Sequence, residues 1–269
     1  MLKLSMLNNK IITPEIAEIA GIFAADGSMQ KNHICFWGNI TEDVEYYDTT
    51  IKSLFKKAFN ININPHPKKS NSVYGFYICN KEIIRFFNEV LGFSFGNKTY
   101  TVRVPEIIMK SKNPTIWTSF IRGVFDNDGC LNFDKKWGSC QKVLKIIHTY
   151  PRIQLASVSH RLIEDICRLL NYLKMHYSCY KFNSKKENEQ EYSLLQVKGK
   201  IRLERWMDLI GFNNPVQKTR YEIFKKHGFV PINTDIATRK KILKGEIDPW
   251  SFYPKRACSV AWITRKPSK

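Results

Sequence analysis

Two nine-residue stretches constrain this chain more than anything else in it. The first is Ile19-Ala20-Gly21-Ile22-Phe23-Ala24-Ala25-Asp26-Gly27, and the second is Ile121-Arg122-Gly123-Val124-Phe125-Asp126-Asn127-Asp128-Gly129. Each reads as the end of an apolar helix with a glycine in its interior. Each closes in Asp-Gly, with the glycine where the residue after a helix end belongs. Asp128 stands 102 positions after Asp26, so the chain reads as duplicated. The helix starts match as well: Thr13-Pro14 and Asn113-Pro114 each offer a capping side chain followed by proline at the first helical position. From proline to motif Asp is about three to four helical turns in both copies.

The first helix carries Ala17, Ala20, Gly21 and Ala24 on one face, and the second has Ser119, Gly123 and Asp126 at similar spacing. Small faces let two helices approach closer than the ordinary ~8–10 Å. The simplest partner for each is the other. Asp26 and Asp128 then sit at the negative ends of two helix dipoles and, if the helices run parallel, beside each other. Such local conflicts are expected at functional sites. A divalent cation relieves both, and Mg²⁺ characteristically takes one or two carboxylates and completes its shell with water and phosphate oxygens.

The paired stretches resemble the motifs of the LAGLIDADG homing endonucleases in their single-chain, two-repeat form, over residues 13 to 235. The resemblance implies an α+β fold of two pseudo-symmetric αββαββα repeats, joined by the packed motif helices, each presenting a curved antiparallel sheet to DNA. It implies a site-specific, double-strand DNA endonuclease that cuts across the minor groove and leaves short 3′ overhangs. It places metal on Asp26 and Asp128, with backbone carbonyls of Ala25 and Asn127 as neighbours, and implies Mg²⁺ as cofactor with Mn²⁺ able to substitute. The expected partner is a long, asymmetric double-stranded target, bound by a monomer. The first copy departs from the motif at Ala24, where the family often has an acid; the second keeps Asp126.

Charge agrees with a polyanionic partner. Lysine and arginine number 43 against 24 acidic residues, a net charge of +19. Seven cysteines without a Cys-x-x-Cys pair, and a lone His176-x-x-Cys179, argue against zinc or disulfide frameworks. Asp126-Asn127-Asp128-Gly129 faintly suggests a calcium loop, but Val124 and Lys135 would then fill the first and last ligand positions, so that reading fails. No run of eighteen apolar residues occurs, so no membrane span is expected. Met1–Lys10 lacks a leader pattern. The expected location is intracellular, in a prokaryotic cytoplasm or an organelle matrix, without secretion.

Along the chain, the first motif helix is followed by strand candidates near Ser28, at His33–Trp37, near Ile61 and at Val73–Cys79, with helices over Thr41–Phe59 and Glu82–Val90. After the second come strands at Gly129–Phe133, Arg152–Ser157, Tyr177–Phe182 and Tyr192–Val197, with helices over Arg161–Leu173 and Ile201–Ile210. Lys135–Ile147 is a basic excursion without a counterpart in the first half. The expected division is residues 1–110 and 111–234 for the repeats, and 235–269 for a basic, aromatic extension that either packs or touches nucleic acid.

Leu91-Gly92-Phe93 leads to Lys98-Thr99, and Ile210-Gly211-Phe212 leads to Lys218-Thr219. The plain reading is two helix ends followed by solvated lysines. The resemblance implies a lysine near the catalytic centre, so Lys98 and Lys218 become candidates to stabilise phosphate charge. Candidate DNA contacts are Gln30, Lys31, His33 and Asn39 in the first half, and Lys136, Trp137, Gln154 and Ser157 in the second. Asn39 and Ser157, at equivalent strand ends, could also orient water. Two rival functions use the same scaffold: an intron maturase that binds intron RNA, and a DNA-binding regulator that does not cut.

Overall fold

The computed structural model describes residues 11–68, 72–135, 147–183 and 190–253. Lys136, Trp137, most of the basic excursion, and Trp262 with the terminal Arg265–Lys269 lie outside the described residues.

Two copies of one element order follow each other. The first is α1 (Pro14–Asp26), β1 (Gly27–Met29), β2 (Ile34–Asn39), α2 (Lys52–Phe59), β3 (His66–Lys68), β4 (Val73–Ile78) and α3 (Lys81–Arg85). A short α4 (Glu106–Met109) leads to the second: α5 (Pro114–Asn127), β5 (Gly129–Lys135), β6 (His148–Ser157), α6 (His160–Tyr172), β7 (Ser178–Phe182), β8 (Tyr192–Lys198) and α7 (Lys200–Leu209). Each copy forms a four-stranded antiparallel sheet, in the order β1-β2-β4-β3 and β5-β6-β8-β7. This is the expected α+β fold of two pseudo-symmetric αββαββα halves.

The two motif helices cap as their sequences predict. The Thr13 hydroxyl accepts from Ile16 N–H, the Asn113 side chain accepts from Thr115 N–H, and a proline opens each helix. Their small faces meet. A Cβ on Gly21 would lie 2.2 Å from the Phe120 carbonyl oxygen, and one on Gly123 would lie 2.2 Å from that of Glu18. Backbone packs directly on backbone at the pseudo-dyad. Around the pair, Phe23 stacks edge-on against Phe36 and Phe87 in the first half, and Phe125 against Trp206 in the second.

Four features correct the sequence reading. Gly27 and Gly129 are the first residues of β1 and β5, and Gly27 has extended backbone (φ −75°). Neither is a left-handed cap. They are glycines because a Cβ would lie 2.2 Å from the Phe23 ring or 2.6 Å from the Phe125 carbonyl, where the strand turns back over its own helix. The strand expected near Ile61 is His66–Lys68 instead, past Pro65. The helix expected over Thr41–Phe59 enters through a wide i→i+5 turn at Tyr46–Ile51, and a second such turn, Phe86–Val90, follows α3. Finally, α8 (Pro215–His227) and α9 (Ile236–Lys244) were not foreseen.

The halves are stitched crosswise. Arg103 pairs with the buried Asp165 of α6 at 3.1 Å, and the Ser159 hydroxyl donates to the Val102 carbonyl. In return Asn214 donates to Asp43. The extension packs, as one of its two expected roles required: Arg239 of α9 binds Glu42 at 2.7 Å, Lys240 pairs with Glu45, and Trp250 lies 4.2 Å from Phe229, ring to ring.

Candidate metal and nucleic-acid site

The pseudo-dyad carries Asp26 and Asp128 to one place, where α1 and α5 end side by side. Asp26 is half-buried, and its carboxyl is pushed up to about 7, first by burial, then by the charges of Asp128 and Asp43. Asp128 is raised as well by the protein crowding it, although its side chain keeps solvent access. Lys98 is the cation that opposes both carboxylates.

Lys98 arrives on a non-helical segment. Gly96, at φ +83°, lets the chain turn there, and its N–H bonds the Met29 carbonyl at 2.8 Å. The Lys98 ammonium then donates to the Ala24 and Ala25 carbonyls at 2.8 and 2.9 Å. It therefore satisfies the negative end of α1 while facing the acids. Burial pulls its own pKa down, and the two acids hold it up.

Lys218 goes elsewhere. Asn214-Pro215 starts α8, so Lys218 falls on a helix, exposed, in a groove with Glu45, Asn213, Glu222 and Lys240. The one-residue difference in spacing from the glycine conceals this change from loop to helix. Asn214 takes the equivalent contact. Its amide donates to the Asp126 carbonyl at 2.9 Å, and Asp126 is the motif counterpart of Ala24. The next support in this half is Gln217, which accepts from Leu131 N–H at 2.9 Å and donates to the Gly129 carbonyl.

Behind the acids lies a buried polar seam. Arg122 binds Glu18 at 2.7 Å and the Ile210 carbonyl at 2.8 Å, and Asn213 bonds both Glu18 and Asp126. Asp126 is 1% exposed, and burial is the first cause that pushes its carboxyl up to about 8. Its Oδ1 and the Tyr46 and Tyr47 hydroxyls are buried without a hydrogen-bond partner. Sequence reasoning missed Asp43, Asn214 and Gln217. The signal for Asn214 was present, because Asn214-Pro215 repeats the Asn113-Pro114 helix start. Asp43 was read as part of a helix start and had no mark of its long-range role.

Of the candidate DNA contacts, Gln30 and Lys31 are exposed at the β1–β2 turn, and His33 is half-buried beside Asn32. Gln154 stands opposite Gln196 across β6 and β8, their amides 3.3 Å apart. Asn39 and Ser157 do end equivalent strands, but each is engaged locally. The Asn39 side chain accepts from Thr41 and Glu42 N–H, and the Ser157 hydroxyl accepts from Ser159 N–H. Among the described residues no group of three or more His, Cys, Asp or Glu side chains forms a ready-made metal cage. No helix among them is long and apolar enough to cross a membrane.

No family model matches this sequence. Over 185 residues it is 24% identical to the ribonucleoside-diphosphate reductase NrdEB subunit alpha of Bacillus subtilis strain 168, and equally to that of Bacillus phage SPbeta. That match covers 66% of this chain and spans only 16% of the length of those proteins. Among solved structures, a variant of I-SmaMI is similar over 88% of this chain and 99% of its own, with TM-score 0.51 at 14% identity. A mesophilic variant of the homing endonuclease I-DmoI gives TM-score 0.49 at 14% identity over 74% of this chain and 95% of its own. The N-terminal LAGLIDADG domain of WhiA gives 0.45 at 12% over 77% and 86%. With its paired motif helices and two four-stranded sheets, the chain has the LAGLIDADG homing-endonuclease fold, both repeats in one polypeptide.

Proposed function

We propose that the protein is a divalent-metal-dependent endonuclease that cuts both strands of a long DNA target. One observation carries the reading: two carboxylates, each at the wrong end of a helix dipole, are forced together on a +19 chain and opposed by Lys98. That arrangement is costly unless a cation joins it. Two carboxylates with nearby carbonyl oxygens suit Mg²⁺ or Mn²⁺, which leave several positions for water and substrate phosphate. The sparse donor set fits a metal held jointly by protein and DNA. Asp26 and Asp128 would hold it, with the Ala25 and Asn127 carbonyls as neighbours. When bound, such an ion polarises phosphate oxygens and acidifies water.

The chain's own residues do the rest. Lys98 supplies positive charge beside the acids, where charge grows on a phosphate in the transition state. Gly21 and Gly123 hold the two helices close, and the Glu18–Arg122–Asn213 seam ties them together and reaches Asp126. Gln30, Lys31 and His33 at the β1–β2 turn, and Gln154 on β6, would meet a target whose unlike halves match the diverged repeats. Repeats spanning 1–110 and 111–234 would each take one half-site.

The test is incubation with a randomised duplex library in Mg²⁺, followed by sequencing of cut ends. Recurrent double-strand cuts with a fixed short 3′ overhang support the reading. Tight duplex binding without cutting in Mg²⁺ or Mn²⁺ would leave a regulator. Preference for intron RNA over duplex would leave a maturase.

A further inference from the structure

Strand alternation gives each sheet a core face and an open face. In the first sheet Ile34 and Phe36 of β2, with Phe76 and Ile78 of β4, are buried. Trp37 and His66 both stand opposite Gly75, and Tyr77 is two residues along, so these three rings share the open face. Gly75 puts no side chain between them. The Trp37 and His66 rings meet at 5.7 Å, and His66 lies 6.1 Å from Tyr77. In the second sheet Leu155 of β6 and Leu195 of β8 are buried, which leaves Tyr180, Phe182 and Tyr192 on the open face. Phe182 stands opposite Tyr192, their rings 5.0 Å apart. Tyr77 is 58% exposed, Tyr180 44% and Phe182 42%. Each row has a lysine over one ring: Lys68 over Trp37 at 5.5 Å, and Lys198 over Tyr180 at 5.4 Å. Both rows lean toward β3 and β7, which stand last in strand order from β1 and β5, the strands that start at the motif acids.

These rings offer edges and apolar bulk, with their flat faces largely taken. Phe182 and Tyr192 cover each other at 14°, His66 meets Trp37 at 89° and Tyr77 at 86°, and the lysines lie over Trp37 and Tyr180. A stacking platform for unpaired bases needs free ring faces. In the major groove of a duplex, the apolar group that a side chain meets is the C5-methyl of thymine. We propose that the two aromatic rows read thymine methyl groups in the outer part of each half-site, with Lys68 and Lys198 placed for the flanking phosphates. This rests on the duplex-DNA reading above and adds which base is preferred. Phe182 in one row and Tyr77 in the other are the principal contacts, because both are exposed and in each row the lysine covers a different ring. Burying one methyl group corresponds to about fourfold in affinity.

The test begins with duplexes selected from the randomised library by binding in Ca²⁺, without cleavage. Thymine is expected at fixed positions in the outer part of both halves. Each such thymine is then replaced by deoxyuridine, which removes the methyl group and keeps every hydrogen-bonding group, and Kd is measured in Ca²⁺. The expected loss is about fourfold per methyl. Phe182→Ser should lose the distinction between thymine and uracil in one half only, and Tyr77→Ser in the other half only. The distinction that each variant keeps shows that it is folded. No thymine preference, an unchanged Kd with deoxyuridine, or full discrimination in both variants would overturn the proposal, and with the duplex still bound and cut the endonuclease reading would stand. Tighter binding of single-stranded RNA than of duplex, lost in the same variants, would make the rows a stacking platform and overturn it as well. If no duplex is bound at all, the DNA reading itself fails, and this inference with it.

Discussion

Asp126 shows how much burial does at the scale of one residue. Its carboxyl sits at about 8 because no water reaches it, despite the N–H of Asn213 on one oxygen. Asp26, at about 7, is also raised. An acid raised on folding holds a proton that the unfolded chain has already released. Its stabilising contribution is complete below about pH 4 and is lost as pH rises through the folded value. In EDTA, the melting temperature should therefore fall between pH 6 and 8.5. Asp126→Asn keeps an acceptor for Asn213 and removes the titration, so its slope over that range should be visibly shallower. Identical slopes would mean that Asp126 is ionised in the folded state. Nothing in the sequence announced this shift. Asp126 read as a retained family acid, and its isolation comes from α8 and the Asn213 turn arriving from 87 residues away.

At the scale of elements, the motif helices were legible down to their caps, because Thr13-Pro14 and Asn113-Pro114 act locally. Most strands were legible for the same reason. What escaped was set by distant contact. The wide turn at Tyr46–Ile51 leaves the apolar periodicity intact while turning two tyrosine hydroxyls toward the acids. Helix α8 escaped although its start copied α5, and with it went the equivalence of Lys98 and Lys218. The glycine faces, by contrast, made a correct and testable statement. Replacing Gly21 or Gly123 with alanine favours an isolated helix by about 1 kcal/mol. Here each Cβ would meet backbone at 2.2 Å, and overpacking costs about 1–3 kcal/mol. The clash should win, so both alanine variants should melt below wild type and the leucine variants lower still. A rise in melting temperature for Gly21→Ala would mean that the helices part more easily than their packing indicates.

For the whole molecule, charge and duplication combine. A net charge of +19, carried mostly by residues 111–269, should make duplex binding fall steeply with salt, by about 0.9 in log K per log salt for each phosphate neutralised. A titration in Ca²⁺ from 50 to 300 mM KCl checks this, and a flat line would remove nucleic acid as the partner. Arg239 of α9, 1% exposed, ties this helix back to Glu42 in the first half.

The central claim is that Asp26 and Asp128 act together as one charged centre. It is tested by placing Asp26→Asn and Asp128→Asn beside wild type on a library-derived duplex, with cleavage followed in Mg²⁺ and binding in Ca²⁺. Each substitution removes a carboxylate without adding bulk. The account predicts that either one lowers double-strand cleavage by at least about a hundredfold, as loss of a charge-stabilising group does, while affinity changes only a few-fold. Full double-strand cutting by either single variant would contradict it.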